Sequence, residues 1–472
     1  MAFRKPQVNK IVTDIQSLTI YLRSVRKWGK STLFKNLILE KYGDPEAGLL
    51  VGLGAEAGYS ILDNLNVTQC ETWKDMKELK KWLINEKGKE HNIKMIAFDV
   101  VEELLPMAEQ EVTLMKGNEA IAHACIRCGA DGFFGYPITP QTEIIETLAL
   151  LKPWETTGMV VLQAESEVAS INMVYGGAGA GKRVLTTSSS PGVALMQEGI
   201  AYMAGAEVPG VIVNVQRGGP GLGTIQPSQS DYFQATRGGG NGDYNVIVLA
   251  PASVQEMADF VDLAFTLAFR YRNPAMILSD GVIGQMMERV VLPPMKPRRT
   301  EEEIARECPW ATIGRSKNRQ PNIITSLELK PEVMEQRNLH LQQKYQTIRE
   351  KEVRYATEHI EDADYVIVAF GSAARVAEKS IEVARQQGIK VGLFRPITLW
   401  PFPEKQLHEL AQRCKGILVA EINAGQMIQD VRLAVNGKVP VEHFGRLGGI
   451  VPEPEEIVEA VKQLISNTQS TK

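Results

Sequence analysis

Cysteine is scarce in this chain: Cys70, Cys125, Cys128, Cys308 and Cys414 are all there are in 472 residues. So few and so scattered, they make no disulfide framework, and they fit a reducing cytoplasm. Long apolar runs are missing too. None reaches the roughly 18 residues of a membrane span. The opening residues, MAFRKPQVNK, lack the apolar core of a signal peptide. Positive charge is not in excess, with 52 Lys and Arg against 56 Asp and Glu and a net charge of −4. That argues against a nucleic-acid binder, which carries a basic surface. The remainder, 44% hydrophobic and 23% charged, is ordinary for a globular protein. The length predicts two or three domains.

From residue 115 the pattern is regular. Residues 118–130 (NEAIAHACIRCGA) space Ala120, Ile121, Ala124 and Cys128 on one helical stripe. Apolar runs at 159–163, 183–189, 208–216, 244–250 and 274–280 read as strands. Helical patterns at 142–151, 165–181, 191–207 and 254–271 alternate with them. Alternating strand and helix predicts an α/β fold with a doubly wound parallel sheet over 115–294. Residues 295–358 read as a connector, first basic and proline-containing, then a long polar helix or helical hairpin. A second α/β unit is expected over 359–472, with strands at 365–372, 390–396 and 415–423.

Residues 1–114 differ in character. LTIYLRSV (18–25) reads as a strand, WGKST (28–32) follows, 33–42 reads as a helix, and 93–99 is an apolar run ending in Asp99. That order matches a P-loop nucleotide site, where amides and Lys cradle phosphates. The motif needs Gly where Ser24 stands, however, so the loop is degenerate. The segment resembles the opening of a phage-type RecA-like ATPase, cut short after its second strand. A fusion, an upstream extension with Met115 as the natural start, or an ATP-binding module that gives the whole protein its function are the readings it leaves.

Polar and Gly-rich turns cluster in the middle of the chain: GYPITPQTE (135–143), QAESEVAS (163–170), TTSSSPG (186–192), VNVQRGGPGLG (213–223) and PSQSDYFQA (227–235). Each follows an apolar run, as at the crevice of an open parallel sheet. Alone, each also has a bland reading. Glu165 satisfies a helix dipole, Ser188–Ser190 cap a helix, and Arg217 faces solvent. GGAGAGKR (176–183) imitates a P-loop but has Arg183 for Ser/Thr and runs from helix to strand, the reverse of a phosphate site. Cys125 and Cys128 lack the second pair that a zinc or iron–sulfur site needs. They read as core.

Taken together, these stretches and FRPITLWPFP (394–403) resemble the alpha subunit of 2-oxoacid:ferredoxin oxidoreductases over about 115–472, most like the branched-chain (2-oxoisovalerate) type. The resemblance implies a thiamine diphosphate pyrimidine domain followed by a transketolase C-terminal-like domain. It implies oxidative decarboxylation of a 2-oxoacid to acyl-CoA, with electrons passed to ferredoxin, and 2-oxoglutarate as the alternative substrate. It also implies a beta subunit that holds the diphosphate, Mg²⁺ and a [4Fe–4S] cluster, besides gamma and small ferredoxin-like subunits. No GDG diphosphate motif occurs here, in keeping with that division. By position, Glu165 corresponds to the glutamate at the aminopyrimidine N1′, where a carboxylate stabilises the protonated ring and assists removal of the thiazolium C2 proton. Arg217 corresponds to the residue that binds the substrate carboxylate. Tyr136, Pro137, Ile138 and Thr139 correspond to the loop touching cofactor and substrate, Ser189 to a cofactor contact, and Glu167 to a neighbour of Glu165.

Overall fold

The structure is a computed structural model and describes residues 30–53, 66–70, 73–85, 93–99, 112–314 and 320–470. The chain divides into two compact units, 1–111 and 112–472.

In the first unit, β1 (Gly48–Leu53), β2 (Asn66–Cys70) and β3 (Met95–Asp99) form a parallel sheet in the order β2-β1-β3. Leu49 and Val51 of the central strand pack with Ile93, Leu79, Trp82 and Leu83. An apolar strand between two parallel neighbours is buried on both faces, which explains the unbroken run GLLVGL. Neither β1 nor β2 was expected from sequence. The helix Lys30–Tyr42 begins inside the GKST stretch. The expected strand at 18–25, with Ser24 and most of the P-loop-like stretch, lies outside the described residues.

The second unit opens on β4 (Val112–Lys116). It continues with β5 (Gly132–Gly135), β6 (Val160–Gln163), β7 (Val184–Ser188), β8 (Val211–Gln216), β9 (Ile247–Leu249), β10 (Ala275–Asp280) and β11 (Met287–Val291). β4 pairs antiparallel with β11, matching Leu114 to Arg289 and Thr113 to Val290. A start at Met115 would therefore cut three residues off a paired strand. Next come β12 (Tyr355–Glu358), β13 (Tyr365–Val368), β14 (Val391–Pro396), β15 (Thr398–Trp400), β16 (Gly416–Glu421) and β17 (Val441–Gly445).

The large sheet runs β15-β9-β10-β8-β7-β5-β6, parallel except for β15. The chain moves outward from β5 to β6, then crosses back to β7 on the other side of β5. That reversal opens a crevice at the carboxyl ends of β5 and β7. The five-stranded sheet runs β12-β14-β13-β16-β17, with β12 antiparallel. It begins at residue 355, four before the expected boundary.

One short corner joins the two sheets. β14 lies in the five-stranded sheet, and after Ile397 the chain becomes β15 at the edge of the large one, where Ala250 N–H donates to Ile397 O at 2.8 Å. This is the FRPITLW stretch. The first part of the connector carries a short helix, Glu301–Glu307, and the polar second part is one helix, Pro331–Lys351, not a hairpin. Its Tyr345 packs edge-on against Trp400 at 5.6 Å. Helix 254–271 matches the sequence expectation and is capped by Ser253, whose Oγ accepts from Glu256 N–H at 3.1 Å.

Candidate active site

The polar turns at 135–143, 163–170, 186–192 and 213–223 lie at the carboxyl ends of β5, β6, β7 and β8 of the large sheet, and 227–235 continues the loop after β8. β5 ends at Gly135, where a Cβ would come 2.5 Å from the Phe133 ring, so no larger residue fits. The chain then turns out through Tyr136, Pro137 and Ile138, half-buried, to the exposed Thr139. Gln141 holds this loop: its Nε2 donates to Tyr136 O at 2.9 Å, and its Oε1 accepts from Thr187 Oγ1 at 2.6 Å. At the far end Pro140 O accepts from Asn118 Nδ2 at 2.7 Å and Gln285 Nε2 at 3.2 Å. A loop tied at both ends presents its side chains in one geometry, as a binding site requires.

β6 is the edge strand, and the helix after it starts at Glu167, not Glu165. Ser166 is the cap: its Oγ accepts from Ala169 N–H at 3.2 Å and donates to Glu165 Oε1 at 2.8 Å. Glu165 is exposed, ahead of the cap. Glu167 occupies the first helical position and is only 7% exposed. Its carboxylate faces the start of the helix Ser190–Gly205: a Cβ added to Gly192 would lie 2.7 Å from Glu167 Oε1 and collide with Ser188 Oγ. Gly192 is thus the space into which the carboxylate reaches.

Ser188 ends β7 and Ser189 is the cap residue of helix 190–205. Both are fully buried, and neither hydroxyl has a partner among the described residues. Ser189 makes no capping bond, so the helix-cap reading does not account for its hydroxyl. Buried hydroxyls without partners are uncommon and point to water or a ligand.

Arg217 does not face solvent. It is 8% exposed; its Nη1 donates to Thr139 O at 3.0 Å and its Nη2 to Leu222 O at 3.1 Å. The guanidinium therefore clamps the 136–140 loop to the 218–227 loop, and its Nε is left without a partner. Gly223 is needed there, since it has φ +54° and any Cβ would strike Gly218 O.

Several residues of the crevice were not anticipated. Asn214 and Gln216 interrupt the apolar β8 and turn to Asp231: Asn214 Nδ2 donates to its Oδ2 at 2.9 Å, and its N–H donates to Gln216 Oε1 at 3.0 Å. Burial pushes the Asp231 carboxyl up, against the hydrogen bond from Asn214. Gln229 Nε2 donates to Phe370 O at 2.7 Å, and Gln229 Oε1 accepts from Ile422 N–H at 3.1 Å. Asp280 caps Val282 and Ile283 and accepts from Ser372 Oγ at 2.6 Å. These bonds dock the five-stranded sheet against the crevice. The sequence signal was a polar residue inside an apolar strand, with no sign of what it meets. Elsewhere, GGAGAGKR is a helix-to-strand turn, since the helix ends at Gly179 and β7 begins at Val184. Cys125 and Cys128 are buried, and burial raises both thiols, Cys128 to about 12. No helix among the described residues is long and apolar enough to cross a membrane.

Comparison with known proteins agrees with this geometry. Residues 123–361 match the thiamine diphosphate-binding domain of pyruvate flavodoxin/ferredoxin oxidoreductases, and 363–457 match core domain II of pyruvate:ferredoxin oxidoreductase. The ketoisovalerate oxidoreductase subunit VorB of Methanothermobacter marburgensis is 46% identical over 351 residues, covering 74% of this chain and 97% of that protein. The 2-oxoglutarate synthase subunit KorA of the same organism is 36% identical over 372 residues, covering 74% and 98%. The solved 2-oxoglutarate:ferredoxin oxidoreductase from Magnetococcus marinus superposes with a TM-score of 0.65 at 26% identity, covering 92% of this chain and 74% of that one. With a crevice of this kind and relatives of this similarity, the chain belongs to the 2-oxoacid:ferredoxin oxidoreductase family.

Proposed function

We propose that this chain is the alpha subunit of an enzyme that oxidatively decarboxylates a branched-chain 2-oxoacid. The products are carbon dioxide and an acyl-CoA, and two electrons pass to ferredoxin. The observation that carries this is the set of polar groups at the ends of β5–β8: the hydroxyls of Ser188 and Ser189 and the Nε of Arg217, buried and without a partner among the described residues, beside the largely buried Glu167. Such groups fit the pyrimidine half of thiamine diphosphate, which wants a carboxylate beside a ring nitrogen and polar contacts in a dry cleft. When bound, thiamine diphosphate supplies the electron sink for decarboxylation.

The chain's own residues do the rest. A carboxylate of the 165–167 pair holds a proton at the pyrimidine N1′. Sequence position favoured Glu165. We place the role on Glu167, because its burial strengthens a charged hydrogen bond, whereas water and Ser166 already satisfy Glu165. Arg217 offers its remaining donor to the substrate carboxylate. Tyr136, Pro137, Ile138 and Thr139 shape the wall of the cleft, and Ser189 contacts the cofactor. The exposed β6 residues Val160 and Leu162 and the exposed Glu165 are surfaces for a beta subunit. That subunit brings the diphosphate site, Mg²⁺ and the [4Fe–4S] cluster. Gamma and small ferredoxin-like subunits complete a cytoplasmic assembly that takes coenzyme A.

The identities above favour a branched-chain substrate over 2-oxoglutarate. The test is to co-purify the complex and follow reduction of a low-potential viologen dye with each 2-oxoacid and coenzyme A. Highest kcat/KM on 2-oxoisovalerate is expected. Preference for 2-oxoglutarate would move the assignment to the alternative, and no dye reduction with any 2-oxoacid would overturn it.

A further inference from the structure

We propose that Gln229 is a positioning residue for Arg217: its side chain plugs the carboxyl ends of two neighbouring strands of the five-stranded sheet, and so fixes the hairpin on which the guanidinium is clamped. The inference rests on reading Arg217 as the anchor of the substrate carboxylate.

In the five-stranded sheet the chain leaves β13 for β14 on one side and comes back, after β15, as β16 on the other. Such a reversal opens a crevice at the carboxyl ends of the strands, the place where an open α/β sheet binds its ligand. Here a residue from the large-sheet domain fills that crevice. Gln229 is fully buried, and each of its four polar groups has a partner there. Its Nε2 donates to Phe370 O, just past β13, at 2.7 Å, and its Oε1 accepts from Ile422 N–H, just past β16, at 3.1 Å. Its main-chain N–H donates to Ile422 O at 3.0 Å, and its main-chain O accepts from Asn423 Nδ2 at 2.9 Å. Gly371, at φ +55°, makes the room, since a Cβ there would stand 2.9 Å from Gln229 Nε2. A buried amide satisfied on both sides is held in one orientation.

The plug sits at the foot of the Arg217 hairpin. Arg217 and Pro227 face each other as an antiparallel bridge, and Gly218 N–H donates to Gln226 O at 2.8 Å. The hairpin between them carries Leu222, whose carbonyl accepts from Arg217 Nη2. Only Ser228 separates Pro227 from Gln229, and Ser228 Oγ also lies 3.3 Å from Ile422 O. The hairpin meets the same domain a second time, at Gly449. That glycine has φ +92°, its N would be 3.3 Å from a Cβ on Gly218, and a Cβ of its own would collide with Gln226 Cβ. The second α/β domain therefore sets where Leu222 O lies, and with it the direction of the guanidinium.

The test uses the complex co-purified with its partner chain. Gln229→Met keeps length and burial but offers Phe370 O no donor and Ile422 N–H no acceptor. With the foot of the hairpin loosened, the guanidinium loses its fixed second acceptor. A charge-assisted bond lost in this way should raise the KM for the 2-oxoacid about tenfold. The kcat should fall less than about threefold, since the interaction lost is made before the chemical step. Exchange of the C2 hydrogen of bound thiamine diphosphate should stay at the wild-type rate. Gly449→Ala pushes the hairpin from its other flank without touching the plug, and should raise KM in the same way. In an Arg217→Lys background, Gln229→Met should add less than about twofold, because residues acting as one unit are not additive. A fall in kcat and C2 exchange together with the KM change, or a full additive effect on Arg217→Lys, would mark a general structural role and overturn the proposal. If Arg217→Lys raises KM while Gln229→Met or Gly449→Ala does not, the plug is wrong and the reading of Arg217 stands. If Arg217→Lys leaves KM unchanged, both fall. If Gln229→Met fails to assemble with the partner, the residue serves the fold, and the proposal is overturned.

Discussion

Glu167→Gln, made beside Glu165→Gln in the assembled complex, separates two carboxylates that lie two residues apart. Each change keeps size and hydrogen-bonding atoms and removes one charge. Glu167 is 7% exposed, and among the described residues no side chain or amide hydrogen-bonds its carboxylate. On the proposed assignment its partner is the pyrimidine N1′ of the cofactor, and the bond forms in a largely buried cleft with little water to screen it. A charge-assisted hydrogen bond contributes roughly 1.5–3 kcal/mol, which is about one to two orders of magnitude in rate. C2 hydrogen–deuterium exchange of bound thiamine diphosphate, followed by quench and NMR, should slow by that factor in Glu167→Gln. In Glu165→Gln it should change by less than about threefold, since an exposed carboxylate gains little from a pair. Slow exchange in Glu165→Gln with normal exchange in Glu167→Gln would refute the assignment and return the role to the residue that sequence position suggested.

Other consequences can be measured directly. Gly192→Ala drives a methyl into Ser188 Oγ and toward Glu167 Oε1; overpacking of this kind costs about 1–3 kcal/mol, so a lower melting temperature and weaker thiamine diphosphate binding are expected, and unchanged binding would contradict the placement of Glu167. A chain beginning at Val112 should assemble and turn over like the full-length chain, whereas one beginning at Met115 loses the pairing of Val112, Thr113 and Leu114 with β11 and should melt lower; equal melting curves would show that β4 is dispensable. The chain purified alone should show no stoichiometric iron–sulfur absorbance, and a full cluster spectrum would place that cofactor on this chain.

Much of the fold was legible because burial and periodicity speak locally. β8 and β10 open on apolar runs and lie inside the sheet. Helices 142–151 and 254–271 carry clear 3.6-residue stripes and are found where expected. What escaped were features set by distant partners. β15 is three residues long, and only its place against β9 makes it a strand. β4 reads as the tail of an unrelated segment until β11 pairs with it.

The site divides in the same way. Its loops were visible as polar turns after apolar runs. The helix start was misjudged by two residues because both glutamates suit a first turn; the cap Ser166, three residues before Ala169, is the signal that separates them. No local rule announces that Arg217 reaches Thr139, 78 residues away, or that Asp231 meets Asn214. Those contacts come from the order of strands in the sheet.

The central claim is that this crevice is one half of a thiamine diphosphate site that a second chain completes. Calorimetric titration of thiamine diphosphate with Mg²⁺ tests it most directly, with the chain alone and with the co-purified complex. One site per alpha–beta pair in the complex, and no measurable binding to the lone chain, is the result expected. Stoichiometric binding to the lone chain, or none to a complex freed of its cofactor, would contradict the claim.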